Sequence, residues 1–112
     1  MESTANQSFG IINPQALGSF IFTAEHAFPY IPANVKKRER PFLKTHWAYD
    51  IGIVPLMKIL CKNHDSQGIY TNYSRLWIDT NRAPDQDGLI RTHIEHVPLS
   101  FNQSLTEQDK QI

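Results

Sequence analysis

The order of apolar patterns along the chain is the feature that most constrains its fold. The run FIFTAEH (Phe20–His26) is rich in β-forming residues, and a second such run covers Ile69–Tyr73. Between them, Thr45–Lys62 (THWAYDIGIVPLMKILCK) carries an apolar stripe at helical spacing. A strand, a helix and a strand in succession, separated by turns, predict an α/β fold.

Two residues interrupt the predicted helix. Pro55 lies inside it, and an interior proline costs a helix on the order of 3 kcal/mol. Gly52 lies about one turn earlier, so we expect a kink or a break into two helices there. Farther along, a short strand is predicted at Leu76–Ile78. The sequence SLTE (104–107) has the capping-box pattern that predicts the start of a helix.

Composition bounds the domain organisation. Hydrophobic residues make up 40% of the 112-residue chain and charged residues 20%, values typical of a globular domain rather than a disordered chain. Residues 1–18 are polar and are predicted to be an irregular lead-in, so the domain is expected to cover residues 19–112. The charged run KKRER (Lys36–Arg40) is predicted to be a solvated loop or helix end.

Charge and cysteine content argue against several functional classes. Eleven Lys and Arg balance eleven Asp and Glu, so no nucleic acid or acidic membrane is expected as a partner. The longest apolar run, Ile51–Met57, is too short to span a bilayer. The single cysteine, Cys61, excludes an internal disulfide and a multi-cysteine zinc site. Without a signal-peptide pattern, a cytoplasmic location is the default expectation.

Glu25 and His26 end the first predicted strand. Sites in α/β sheets gather at the carboxyl ends of strands, and a carboxylate and an imidazole are usual ligands of zinc. Adjacent residues on a strand point to opposite faces, so both can bind one metal only where the strand has ended. The alternative is an ordinary hydrogen-bonded histidine near a strand end.

His46 and Asp50 stand four residues apart in the predicted helix. On a helix they would share a face, and the carboxylate could orient the imidazole and raise its basicity. The pair could serve a site directly or brace it. The alternative is a pair that stabilises the beginning of a helix, where Asp is favoured.

The stretch YTNYSRLWIDTNRAP (70–84) mixes charges with residues that favour burial. Arg75 and Arg82 stand seven residues apart, with Asp79 and Asn81 between them. Arginine presents a planar fork that suits a carboxylate, and Asn adds a neutral donor. Asp79 could hold one guanidinium and leave the other for an anionic ligand. The alternative is a structural Arg–Asp pair in a half-buried strand.

Three of these segments, taken in order, resemble one family. AEHAFPYIP (24–32), HWAYDIG (46–52) and YSRLWIDTNRAP (73–84) are similar to successive signature segments of the N-formylglutamate amidohydrolase family. The third is the most specific, and the tail LIRTHIEHVPLSFNQSLTEQDK also resembles a family segment that leads into a helix. The resemblance spans residues 20–112.

The resemblance implies a metal-dependent hydrolase that cleaves the N-acyl amide of an acidic amino acid, such as N-formyl-L-glutamate. It implies a mixed sheet between two helical layers, α/β/α, as in zinc-dependent exopeptidases. Glu25 and His26 would then lie at a zinc ion, and His46 and Asp50 would line or brace the site as catalytic residues. Arg75, Asn81 and Arg82 would bind the substrate's carboxylates.

Family members are about twice as long as this chain, so the resemblance implies a fold truncated at its C-terminal side. Exopeptidase-type sites draw a further metal ligand and the acid/base carboxylate from the second half. The chain alone is therefore expected to have little activity, because catalytic zinc normally has three protein ligands. Two further functions are left open: a non-catalytic remnant that binds a small dicarboxylate, and a chain that completes its site by assembling with another chain, through self-association for example.

Overall fold

The computed structural model describes residues 7–110. A three-stranded mixed sheet organises the first part of the chain. Its strands are β1 (Phe9–Ile12), β2 (Ile21–Ala24) and β3 (Gln67–Thr71), in the order β1-β3-β2. β2 runs parallel to β3 with Ala24 opposite Tyr70, and β1 runs antiparallel to it. The predicted α/β class and mixed sheet are confirmed.

β1 corrects the expectation that residues 1–18 are irregular. Phe9 pairs with Thr71 and Ile12 with Gly68, so these four residues form an edge strand, while residues 1–6 lie outside the described part. Gly10 is required there, because an added Cβ would lie 2.0 Å from the Tyr70 hydroxyl. The strand was missed because pairing with a distant strand, rather than local pattern, stabilises it.

The helix α1 (Ile53–Asn63) is shorter than predicted. Gly52 is the N-cap residue and has φ +93°, a left-handed conformation that is not helical, so the helix begins only at Ile53. Pro55 is then its third residue, where a missing N–H costs no intrahelical hydrogen bond. Residues 45–52 form turns instead of a first helix.

One face of α1 packs on the sheet. Met57 and Cys61 are buried against Ala24, Ala27 and Tyr70, which together form the first hydrophobic cluster. The helix lies close to β3, because a Cβ added at Gly68 would lie only 2.8 Å from the Cys61 sulfur. The same burial raises the pKa of the cysteine thiol.

A second hydrophobic cluster lies beneath the loops that follow β2 and β3. Its buried members are Ile31, Ala48, Leu76, Ile94 and Leu99. The predicted strand at Leu76–Ile78 is wrong: the Trp77 and Ile78 amides donate to the Ser74 carbonyl, which makes this segment a turn. The remaining elements are β4 (His93–Ile94), paired with β5 (Val97–Pro98), and two 3-10 helices, Arg40–Lys44 and Ser100–Asn102.

Glu39 departs from the expectation of a wholly solvated charged run. Its neighbours in the run are exposed, but Glu39 is buried and accepts hydrogen bonds from the Lys36 amide and from the amide and hydroxyl of Ser100. Burial acts to raise the pKa of this carboxyl, but these hydrogen bonds and the charge of Arg38 outweigh it, and the pKa lies below its usual value. Through these hydrogen bonds, Glu39 connects the charged run at 36–40 to Ser100 in the C-terminal part of the chain.

The predicted helix start lies two residues later than expected and forms only one turn within the described residues. Thr106 accepts from the Asp109 amide through its hydroxyl, and Asp109 accepts from the Thr106 amide through its carboxylate. This is the reciprocal capping arrangement predicted for Ser104 and Glu107. Residues 111–112 lie outside the described part.

The sheet face opposite α1 is exposed and apolar. Phe9, Ile11, Ile21 and Ile69 point to this face and are 53%, 47%, 63% and 37% exposed. Within residues 7–110 the sheet therefore carries a helix on one face only, and the second layer of the expected α/β/α arrangement is not formed by these residues. No helix in the described part is long and apolar enough to span a membrane.

Candidate functional site

The candidate site forms where the parallel strands β2 and β3 end. Parallel strands present their carboxyl ends at the same sheet edge, so the segments that follow them meet there. Residues after Ala24 and residues after Thr71 lie side by side, as shown by an isolated bridge between Tyr30 and Tyr73. A third segment, the turns at 45–52, packs against both.

His26 lies at the centre of this meeting point. It follows the end of β2 in a left-handed conformation, with φ 57°, and its side chain is buried. Its Nε2 lies 2.5 Å from Asp79 Oδ1, and its Nδ1 lies 3.6 Å from Asp50 Oδ2. The Asp50 amide also donates to the His26 carbonyl at 2.8 Å. The imidazole is therefore placed between two carboxylates that come from different segments.

Asp79 gathers most of the polar contacts of the site. It accepts from His26, from the Asn81 amide and from Arg82 Nε at 3.4 Å, and Arg75 Nη2 lies 3.8 Å away. Burial acts to raise the pKa of Asp79. The hydrogen bonds and the nearby positive charges outweigh burial, so the pKa lies below its usual value. Asp79 is thereby kept as a carboxylate.

Hydrogen bonds to the backbone fix the turn that carries Arg75 and Asp79. The Ser74 hydroxyl donates to the Ala48 carbonyl at 2.8 Å, and the Ser74 amide donates to the Tyr30 carbonyl at 2.6 Å. The buried Asn102 amide group donates to the carbonyls of Leu76 and Arg91 at 2.8 Å each. Sequence reasoning missed both positions, because Ser and Asn give no local signal for such long-range contacts.

Three arginines face a cavity of about 300 Å³ beside this cluster. Arg75, Arg82 and Arg91 line it, together with Asp79. Arg75 lies 3.7 Å from Asp50 as well, so both Arg75 and Arg82 are held by carboxylates. Gly88, with φ +83°, also lines the cavity, and a Cβ there would lie 3.3 Å from the Arg82 guanidinium.

The structure brings some of the predicted residues together and separates others. His26, Asp50, Arg75 and Arg82 meet around Asp79, as described above. Glu25 is exposed, and no hydrogen bond or ion pair within residues 7–110 holds its side chain. Asn81 contributes its backbone amide; its exposed side chain makes no hydrogen bond in the described part.

The predicted helical pairing of His46 with Asp50 is wrong. No helix forms at residues 45–52, because Gly52 and the hydrogen bonds to neighbouring segments set this region's conformation. His46 is exposed and stacks on Trp47, with ring centroids 5.3 Å apart. Asp50 instead faces His26 and Arg75.

Arg91 is a cavity residue that sequence reasoning missed. Its guanidinium lies 4.9 Å over the Trp47 ring, and its Nε donates to the His93 carbonyl at 2.8 Å. The signal in the sequence is weak, because Arg91 lies nine positions after Arg82 in an irregular segment. Only the fold brings the two arginines to one cavity.

The donor set fits a metal ion only in part. Within residues 7–110 no group of three or more His, Cys, Asp or Glu side chains is placed to hold a metal. His26 does have the arrangement common among metal-binding histidines, with one ring nitrogen bonded to a carboxylate. Its other nitrogen, Nδ1, faces Asp50 at 3.6 Å, longer than a hydrogen bond.

Comparisons with known proteins bear on this site. The crystal structure of gene product Atu2144 from Agrobacterium tumefaciens superposes with a TM-score of 0.83 at 24% identity, over 95% of this chain and 43% of that one. That likeness shows the fold, and this chain spans less than half the length of the Agrobacterium protein. No curated protein matches. A family model described as N-formylglutamate amidohydrolase matches residues 18–109, most of the chain. The chain therefore belongs to the N-formylglutamate amidohydrolase family.

Proposed function

We propose that this chain carries the substrate-binding part of a metal-dependent hydrolase that cleaves the N-acyl amide of an acidic amino acid such as N-formyl-L-glutamate. The reaction would take up water and release formate and the amino acid. One observation carries the proposal: an arginine-lined cavity lies directly beside a buried histidine held by a carboxylate. Family membership supports the hydrolase class.

Arg75 and Arg82 would bind a carboxylate of the substrate. Each guanidinium is partly exposed to the cavity and is oriented by Asp79, which limits the rotamer freedom lost on binding. Asp79 would also hold His26 with its proton on Nε2, leaving Nδ1 as the free lone pair. We assign no step to His46, which lies outside this cluster.

Zinc is the cofactor that we propose from the family resemblance. His26 Nδ1 would be one ligand, and the neighbouring carboxylate of Asp50 or Glu25 a second. A bound zinc ion would polarise the acyl carbonyl and lower the pKa of a water molecule. Because two protein ligands make a weak site, we propose that a further donor comes from outside residues 7–110, and that this chain alone turns over slowly.

Binding of ligand and metal tests this function. We expect N-formyl-L-glutamate to bind the chain with 1:1 stoichiometry in calorimetry, and N-formylglycinamide, which has no carboxylate, to give no measurable heat. Zinc should raise the midpoint of thermal unfolding, since a ligand of the folded state stabilises it. His26→Ala should lose that shift, while the exposed His96→Ala should keep it.

Equal binding of the charged and uncharged ligands would contradict the carboxylate-binding role. A zinc shift retained in His26→Ala would show that the metal, if it binds, does so elsewhere. Formate release should be measured in the same samples. Rapid zinc-dependent turnover would confirm the hydrolase activity and would contradict the expectation that the chain alone turns over slowly.

A second candidate, assembly with a second copy of this chain, is favoured by the exposed face of the sheet. Contiguous apolar surface on a sheet commonly marks an interface, and within residues 7–110 the outer edges of β1 and β2 pair with no further strand. Sedimentation velocity should then show a concentration-dependent dimer. Ile21→Lys, on the exposed face, should shift the chain to monomer, whereas Lys37→Glu, in an exposed turn outside the sheet, should not. A monomer at all concentrations would contradict assembly.

A further inference from the structure

The three arginines of the cavity are not equivalent. Arg75 lies near both Asp50 and Asp79, and Arg82 donates to Asp79. Arg91 forms no ion pair with a carboxylate in the described part of the chain. Its single hydrogen bond runs from Nε to a backbone carbonyl, so both of its terminal nitrogens are left without a hydrogen bond to residues 7–110.

Trp47 holds the Arg91 guanidinium in place. The group lies 4.9 Å over the indole ring, and the hydrogen bond to the His93 carbonyl fixes the position of Nε. A guanidinium is planar, and its terminal nitrogens match the two oxygens of a carboxylate in a bidentate pair; contact with an aromatic face limits the rotation of the group. Arg91 is therefore oriented in advance by neutral groups, which leave its charge uncompensated.

The charge of the cavity lining matches a ligand with two negative charges. Among the lining residues, the Asp and Arg side chains are three arginines and one aspartate, an excess of two positive charges; Asp50, which lies near Arg75, is not part of the lining. Its volume of about 300 Å³ is at the small end for ligand sites, which suits a short chain rather than a peptide. A single carboxylate would leave one guanidinium uncompensated, and Arg91 is the arginine of the cavity that has no carboxylate partner within residues 7–110.

We propose that Arg91 is the residue that selects dicarboxylates over monocarboxylates, by binding the second carboxylate of a short acidic ligand. This inference rests on the proposed function and names a specificity residue for it. Arg75 and Arg82, oriented by Asp79, bind the first carboxylate, and Arg91 binds the second across the cavity.

Glutarate and butyrate are the probes that test the role of Arg91. Neither has an amide, so their binding is independent of hydrolysis and of metal. Calorimetry should show that the wild-type chain binds glutarate more tightly than butyrate. Arg91→Gln should weaken glutarate binding roughly 10- to 100-fold, the range expected for one lost charge-assisted pair, with little change for butyrate. Arg40→Gln, which alters an exposed arginine outside the cavity, should match wild type.

Arg91→Lys covers the case in which the glutamine variant folds poorly. Lysine keeps the charge but cannot form a bidentate pair, so glutarate binding should weaken several-fold, with butyrate unchanged. Tryptophan emission should respond to glutarate in wild type and much less in either variant, because Trp47 lies beneath the guanidinium.

Unchanged glutarate affinity in both variants would overturn the inference, as would wild-type binding of glutarate no tighter than that of butyrate. An equal loss for both ligands would place Arg91 at the shared carboxylate and would also overturn the selective role. A different result would contradict the proposed function and leave the role of Arg91 intact. Glutarate would bind through Arg91, but N-formyl-L-glutamate would neither bind nor release formate.

Discussion

Asp79→Ala is expected to destabilise the chain by about 3 kcal/mol and to abolish dicarboxylate binding. The carboxylate is buried and has His26, Arg75 and Arg82 around it. Removing one member of a buried ion pair typically costs 3 to 5 kcal/mol, because the partner is left uncompensated. We expect the lower end of this range, since both arginines are partly exposed. Urea unfolding measures the stability and calorimetry the binding.

Asp79→Asn separates charge from shape, and its effect should depend on pH. The pKa of Asp79 is depressed in the folded state, so its charge contributes stability above its unfolded pKa, about 3.9. That contribution disappears as the pH falls through the folded pKa. The stability gap between wild type and Asp79→Asn should therefore be full at pH 7 and narrow below about pH 4. A gap that does not change with pH would contradict the role given to the charge.

The exposed Asp85 gives a matched control for this position. Asp85→Ala should change the stability by less than about 0.5 kcal/mol and should leave dicarboxylate binding intact. A loss in Asp85→Ala as large as that in Asp79→Ala would show that any negative charge in this segment matters, and not the contacts of Asp79.

Leu76→Ala is expected to cost about 2 to 5 kcal/mol, the usual range for removing a fully buried leucine. Leu76 is 1% exposed and packs in the second hydrophobic cluster, in the turn that carries Arg75 and Asp79. The cavity left behind should loosen that turn, so binding of dicarboxylates should weaken together with stability. Urea unfolding and calorimetry on the same samples test both effects.

Leu17→Ala is the control for the leucine, because Leu17 is 90% exposed. It should unfold within about 0.5 kcal/mol of wild type. A Leu76→Ala variant as stable as wild type would contradict the account in which the second cluster supports the site.

The sequence predicts the elements that local pattern determines. The runs at 20–26 and 69–73 are apolar and β-branched, and they overlap β2 and β3 within the sheet. β1 was not predicted, because four residues gain their stability from pairing with a distant strand. The region 45–52 has a helical stripe, but a left-handed Gly52 and hydrogen bonds to other segments override it.

In the candidate site, too, contacts between residues close in sequence could be predicted, and contacts between distant segments could not. Arg75, Asp79 and Arg82 come together because they lie within eight residues of one another, which the sequence shows, although the segment that carries them begins with a turn and not with the predicted strand. The contact of His26 with Asp79 joins residues 53 positions apart, and only the parallel pairing of β2 with β3 produces it. The backbone of Arg91 is held by a hydrogen bond from the Asn102 side chain, and this long-range contact has no signature in the sequence.

The central claim is that small acidic N-acyl amino acids bind at the edge where β2 and β3 end. Amide chemical-shift mapping by NMR on the 112-residue chain, titrated with N-formyl-L-glutamate, tests it most directly. The account predicts that the shifted amides cluster at His26, Asp50, residues 79–82 and residues 88–93. Shifts confined to the exposed face of β1–β3, or the absence of any saturable shift, would contradict it.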